Sequence, residues 1–428
     1  LHTVVTISGS IYKTIYSFHH APFSAFYFIL LNLWTKIFGI SEFSLRFPSL
    51  LFSTLSIFVI FKLGNEFFNR RVGLIAAFLL AVSPYSINYA QEARPYALTW
   101  LLGLSSFYFF YKYLKEEKAS QLILWIIIIV LGIYSTYLNF YCLLIQNIVF
   151  FTFFKNKKIT RWIIGQIAVL LFYSPQLQGF LYALKYKPGI GWMGKTEHYV
   201  EWLINAFKEI TGISMGRSHP LEIFIFSGLI LLAVCKIVLY LYKKEWVNTK
   251  PIAYLLLSLW ILIPAGIFLL TDKFVVSILQ VRYMGFLHLP LILFMAKGID
   301  VLGKNKVGLI IIILLVTAAF SSHLYQYYSN NLKICYEDYK SLCASLESET
   351  KETSLVLCNF DVDMLRYYYW KHTDIKPYYY SRTDIKDNVD SIYVAYRLSE
   401  KPKNVSIEGF KRIKEYKVKG AGYLFFER

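Results

Sequence analysis

Two stretches decide what this chain can fold into. "LILWIIIIVLGIYSTYL" (122–138) and "VGLIIIILLVTAAF" (307–320) contain no charged side chain. Runs of this kind cross, or nearly cross, a hydrocarbon layer about 30 Å thick. No water pairs with the backbone inside lipid, so such a run must satisfy its own N–H and C=O groups, as a helix does. The rest of the chain agrees: 56% of the 428 residues are apolar, only 17% are charged, and the mean hydropathy is +0.46. Few soluble domains combine those values. The chain reads as a polytopic α-helical membrane protein.

The net charge of +18 would suit a nucleic-acid partner if it were spread over one face, but its distribution argues against one. Residues 329–428 hold 17 Lys/Arg against 15 Asp/Glu, and the remainder holds 28 against 12. The excess gathers in five short segments, 62–71, 112–118, 155–161, 236–250 and 297–306, with 17 Lys/Arg in 49 residues. That is the positive-inside pattern of cytoplasmic loops, and no nucleic-acid partner is expected.

Parity then orders the crossings, since successive basic loops on one side must be separated by an even number of them. Pairs near 73–90 and 95–111, 121–136 and 138–154, 162–180 and 221–242, and 252–271 and 279–296 fit, with single crossings near 48–62 and 307–324. The expectation is about ten transmembrane helices. The apolar segment 22–38 breaks parity if it spans, so it is placed as a juxtamembrane helix on the outer surface, where its Trp, Tyr and Lys belong. Residues 1–327 form the membrane domain, with a long outer loop at 181–220 whose length suggests function. Residues 328–428 read as a small extracytoplasmic α/β domain: "YEDYKSLCASLESE" and "DVDMLRYYYWK" as helices, with "SLVLC", "SIYVAY" and "GYLFFE" as strands. The five cysteines show no CxxC pair and no histidine at metal spacing, so no zinc site is built on them. One disulfide within the last hundred residues remains open.

Ionisable groups at the membrane rim are candidates for function because they are costly there. On the outer side these are His19, His20, Glu42, Arg46, Glu92, Arg94, Asp272, Lys273 and Arg282. Glu92 and Arg94 lie in "SPYSINYAQEARPYAL" (83–98), a turn between two crossings. Arg46, Arg94 and Arg282 each start a crossing, and guanidinium groups suit phosphate. The plainer reading of each arginine is snorkelling, and of Glu92 with Arg94 a surface ion pair. GxSxG, HExxH, Walker A and helix-opening GxGxxG patterns are all absent.

The stretch from His19 to Leu98 resembles the amino-terminal module of the polyprenyl-phosphate-sugar glycosyltransferases of GT-C fold, relatives of protein O-mannosyltransferases and lipid A aminoarabinose transferases. His20 and Pro22 match a His-Pro-Pro in which Ala21 replaces the first proline. "FGISEFSLRFPS" matches the turn carrying Glu42, Arg46 and Pro48, and "NRRVGLIAAFLLAVSPYSINYAQEARPYAL" matches the next loop, crossing and turn. "VRYMGFLHLPLIL" resembles the Arg-Tyr entry to a late crossing.

The resemblance implies transfer of a sugar from a polyprenyl phosphate to a hydroxyl of a lipid, glycan or protein acceptor on the outer face of the cytoplasmic membrane, with inversion. It makes Glu92 the catalytic carboxylate within this sequence. Arg94, Arg282, Tyr283 and His20 become donor or phosphate ligands, and Arg46, Glu42 and Tyr96 supporting residues. The family's general base, an Asp in the first outer loop, has no counterpart between Leu1 and Lys36. The expectation is that it falls at or before Leu1, with the first crossing incomplete and this chain inactive as it stands. The resemblance fixes no cofactor and leaves a divalent cation open, with His20 as a ligand of the phosphate or of that metal. Two other classes stay open: a flippase of lipid-linked sugars, which needs midplane charges, and a non-catalytic scaffold.

Overall fold

The computed structural model describes residues 25–153, 157–186, 199–210, 227–228, 250–274, 281–303, 306–328, 339–351, 354–358, 375–377, 389–397, 407, 410–418 and 421–428. They fall into two compact units, one within Thr6–Leu332 and one within Lys333–Arg428. Most of the expected crossing at 221–242, the middle of the 181–220 loop and the expected helix in 361–371 lie outside the described residues.

The first unit is helical. It comprises α1 (Ala25–Phe38), α2 (Glu42–Phe67), α3 (Arg70–Val82), α4 (Pro84–Ala90), α5 (Tyr96–Glu116), α6 (Ala119–Ser135), α7 (Asn139–Phe153) and α8 (Lys157–Tyr173). A 3-10 turn at Ser174–Gln176 leads into α9 (Leu177–Tyr186), followed by α10 (Tyr199–Ile210), α11 (Lys250–Phe274), α12 (Val281–Leu302) and α13 (Lys306–Tyr328). Among the described residues four helices are long and apolar enough to cross a membrane, or five if the bent pair α3–α4 is one span. This is a membrane protein. The lipid-exposed character shows in α2, whose Phe43, Leu50, Leu51, Leu55 and Phe58 are exposed, while α12 is buried almost throughout.

Local chemistry explains several boundaries. The expected crossing at 48–62 is longer, because Ser41 caps α2 by accepting the Ser44 N–H at 3.1 Å. Pro48 inside α2 cannot donate to the Ser44 carbonyl. That carbonyl instead accepts the Trp34 indole N–H at 3.0 Å, which ties α1 to the start of α2. The expected crossing at 162–180 ends early at Tyr173, where Pro175 enters a 3-10 turn. Asn69 caps α3 through the Val72 N–H at 2.9 Å.

The α2–α3 hairpin is packed backbone to backbone. A methyl group on Gly64 would stand 2.9 Å from the Gly73 Cα, and one on Gly73 would stand 2.5 Å from the Phe61 carbonyl oxygen. Small residues permit that approach where apolar side chains alone give helices no reason to leave lipid. Polar clasps reinforce the bundle. Gln146 accepts the Trp125 indole N–H at 2.8 Å and donates to Ser106 Oγ at 3.0 Å. Asn147 accepts the Trp162 indole N–H at 2.9 Å and donates to Gln166 at 3.1 Å.

Charged residues of three of the basic segments, 62–71, 112–118 and 297–306, pair with one another. Lys115 meets Glu66 at 3.2 Å, Lys297 meets Asp300 at 2.7 Å, and Arg71 lies 3.8 Å from Asp300 while donating to the Gly303 carbonyl. At their other ends α5 and α12 carry Tyr96 and Arg282, which lie within electrostatic reach of one another.

The second unit contains α14 (Tyr339–Glu349) and a five-stranded sheet of β1 (Ser354–Cys358), β2 (Ile375–Pro377), β3 (Ser391–Arg397), β4 (Lys411–Val418) and β5 (Ala421–Glu427). The strand order is β2-β1-β3-β5-β4, parallel around β1 and antiparallel from β3 onward. Strand alternation sends Val356, Tyr393, Ala395, Ala421 and Tyr423 to one face, where Leu342, Cys343 and Leu346 of α14 cover them. Leu355, Leu357, Ile392, Val394 and Phe426 are buried on the other face. Cys343 is a free thiol in that core, and burial pushes its pKa up to about 12.

Candidate functional site

The crossing expected at 73–90 is broken. Helices α3 and α4 meet at a 60° bend, where Ser83 ends the first and Pro84 opens the second. Proline at the first helical position suits such a restart, since its missing N–H would have no partner there. After Ala90 the chain makes a tight turn from Gln91 to Pro95. It is held by its own backbone: Gln91 N donates to Asn88 O at 3.1 Å, and Arg94 N donates to Glu92 O at 2.8 Å. Gln91 Nε2 donates to Tyr328 Oη at 2.9 Å, tying the turn to the end of α13.

Glu92 and Arg94 are half-buried in this turn. Burial raises the Glu92 carboxyl above the ordinary carboxylate range, and the positive charges of Arg94 and then Arg282 pull it back. Arg282 comes from the first turn of α12, and its guanidinium lies 5.5 Å from the Tyr283 ring centre. Tyr96, the first residue of α5, is within electrostatic reach of Arg282, Tyr283, Arg94 and Glu92. Five of the residues singled out in the sequence, from two separate segments (92–96 and 282–283), therefore stand in one cluster.

The others are placed differently. Glu42 sits in the first turn of α2, directly after its Ser41 cap, where a negative charge complements the helix dipole. Arg46 is exposed one turn further on, within the helix instead of at its start. Asp272 is fully buried near the end of α11 and accepts the Tyr199 hydroxyl at 3.0 Å, while Lys273 is exposed. His19 and His20 lie outside the described residues.

The cluster has supports that the sequence reading did not single out. Tyr27 of α1 is fully buried, and its hydroxyl pairs with Ser49 Oγ at 2.9 Å. Ser49 in turn donates to the Arg94 carbonyl at 3.3 Å. Nothing distinguishes Tyr27 from an ordinary interfacial tyrosine in sequence, and Ser49 is one of many small polar residues in α2. His288 left a clearer signal: a lone ionisable residue within "MGFLHLPLIL".

One carboxylate within electrostatic reach of two guanidinium groups leaves a net positive cluster, which suits an anion. It does not by itself make a cation site. Among the described residues no three His, Cys, Asp or Glu side chains come together at metal-binding distance.

The model of the dolichyl-phosphate-mannose-protein mannosyltransferase family matches residues 19–178, which bears out the resemblance read from the sequence. Residues 19–178, which include the Glu92–Arg94 turn, are similar to that family of membrane glycosyltransferases. Its fold is similar to that of the oligosaccharyltransferase of Archaeoglobus fulgidus. The apo form aligns at a TM-score of 0.55 and 10% identity, covering 93% of this chain and 65% of that one. The form solved with zinc and sulfate aligns at 0.52 and 14%, covering 89% and 60%. The AglB form in complex with an inhibitory peptide and a dolichol-phosphate aligns at 0.51 and 12%, covering 89% and 62%. The chain thus spans less than two thirds of the length of these archaeal enzymes. ArnT from Cupriavidus metallidurans in the apo state aligns over 94% of this chain and 87% of its own at 0.48 and 10% identity, too loose a likeness to argue from. No curated protein matches the sequence.

Proposed function

We propose that the protein transfers a sugar from a polyprenyl phosphate to an acceptor hydroxyl, with inversion, on the outer face of the cytoplasmic membrane. The observation that carries this reading is that Glu92 and Arg94, from one turn, lie within electrostatic reach of Arg282, from the start of a helix almost two hundred residues later. The leaving group is a phosphate, and two guanidinium groups stabilise its developing charge without any need to protonate it. Arg282 holds the phosphate, with Tyr283 against its guanidinium, and Arg94 shares that charge. Glu92, ionised, orients the acceptor hydroxyl or the sugar for attack at the anomeric carbon. Tyr96 packs behind the cluster, and Glu42 and Arg46 support the start of α2. His20 is a further phosphate ligand in this reading. A divalent cation, if the reaction uses one, would be held with the help of His20.

The same reading places the basic loops in the cytoplasm and takes the membrane domain, 1–327, as about ten crossings with a juxtamembrane helix at 22–38. The domain at 328–428 then lies outside the cell. The acceptor is a lipid, glycan or protein. A flippase is disfavoured because the described charges sit at the rims of the bundle, at the two helix ends.

Glu92→Gln in the intact protein tests the assignment. It keeps the side chain's shape and removes its charge, so transfer should fall by about a hundredfold or more while expression is unchanged. Wild-type turnover in that variant would sink it.

A further inference from the structure

His288 of α12 fastens the two hydroxyls at the bend between α3 and α4 to that helix. His288 is buried, 1% exposed, and its Nε2 pairs with Ser86 Oγ at 3.0 Å and lies 3.3 Å from Ser83 Oγ. Ser83 is the residue at which α3 ends and α4 begins, and its hydroxyl accepts the Ser86 N–H at 3.4 Å. The imidazole therefore grips the two hydroxyls that define the bend.

The seam around it is tight. Tyr85 Oη donates to the Val281 carbonyl at 2.9 Å, beside Arg282. A methyl group on Gly285 would stand 2.6 Å from the Tyr85 hydroxyl and 2.8 Å from Trp100. The Tyr85 and Trp100 rings lie 5.1 and 6.0 Å from the His288 ring. Helix α4 is only seven residues long and leads directly into the turn with Glu92 and Arg94. Helix α12 has Arg282 six residues before His288. Whatever fixes α4 against α12 fixes the carboxylate against the second guanidinium.

We propose that His288 is a positioning residue: by locking the α3–α4 bend to α12 it sets the distance between the Glu92–Arg94 turn and Arg282. The residue touches neither donor nor acceptor. It rests on the glycosyltransferase reading only for what the site is used for, since the mechanical claim concerns the turn itself.

The test compares His288→Leu, which removes both ring nitrogens, with His288→Gln, whose terminal amide reaches the same hydroxyls. Each is made in the intact protein and placed in lipid nanodiscs with the wild type. Backbone hydrogen exchange over 89–95 is read directly, and binding of undecaprenyl phosphate is measured in parallel. The Leu variant should exchange about tenfold faster over 89–95 and bind the probe about 10 to 100 times more weakly. The Gln variant should return both toward wild type. Exchange over α6 and α7, away from the seam, should be unchanged in both. Unchanged exchange over 89–95 in the Leu variant, or equal faults in Gln and Leu, would overturn the proposal. So would faster exchange throughout the bundle, which marks a general packing defect. If the wild type does not bind undecaprenyl phosphate, the functional reading fails, and the exchange data alone still decide the role of His288.

Discussion

Gly73→Ala gives the sharpest test of how this bundle is assembled. The added methyl would lie 2.5 Å from the Phe61 carbonyl oxygen, 3.0 Å from the Asn65 nitrogen and 3.2 Å from a Phe61 ring carbon. The two nearest atoms are backbone of α2, so no rotamer change relieves the overlap. The helices must part by several tenths of an ångström, and overpacking of that kind costs about 1–3 kcal/mol. Against this stands the usual gain of about 0.5–1 kcal/mol for replacing a helical glycine by alanine. The net loss should lower the unfolding midpoint by about 2–6 °C. Two controls isolate the contact. Gly266 in α11 and Gly308 in α13 have nothing within 4 Å of an added methyl, so alanine there should leave the midpoint unchanged or raise it slightly. Thermal unfolding of the three variants in one detergent decides the matter. A Gly73→Ala protein as stable as the two controls would refute the backbone-to-backbone packing of α2 and α3.

Other consequences follow from the polar residues. Burial and two arginines act on Glu92 in opposite directions, and in the proposed reaction the ionised form is the working one, so transfer should fade as pH drops through its raised pKa. Arg282→Gln removes one charge that favours ionisation, so the acid limb of the pH–rate profile should move to higher pH; an unmoved limb, or a shift toward acid, would contradict the cluster. Gln146→Leu leaves the buried Trp125 indole N–H and Ser106 without their partner. A loss of about 1–2 kcal/mol is expected, read as an earlier denaturation midpoint, and an unchanged midpoint would show that the clasp contributes nothing.

The sequence exposed some of this fold and hid the rest for definite reasons. Long charge-free runs and basic loops announce helices and their common end, because both depend on composition alone. The strands "SLVLC", "SIYVAY" and "GYLFFE" were readable from their apolar, β-branched and aromatic content, and α14 from its helical spacing. The break at Ser83 was not, since a continuous apolar pattern runs through it and only Pro84 marks the place. Within the site, Glu92, Arg94 and Arg282 stood out as charges in lipid-like surroundings. That they meet depends on α12 crossing back beside α4, a tertiary fact with no local signature. The supporting contacts of Tyr27, Ser49 and His288 are likewise long-range, between residues unremarkable one at a time.

The central claim is that this protein breaks a sugar–phosphate bond on a lipid donor. The most direct measurement supplies the intact protein in liposomes with a panel of polyprenyl-phosphate sugars and an acceptor extract, and follows the free polyprenyl phosphate and the anomeric configuration of the product. Release of polyprenyl phosphate should be matched one to one by a glycosylated product of inverted configuration, and Glu92→Gln should abolish both. Movement of intact donor across the bilayer without bond cleavage, or release that is indifferent to Glu92, would contradict the claim.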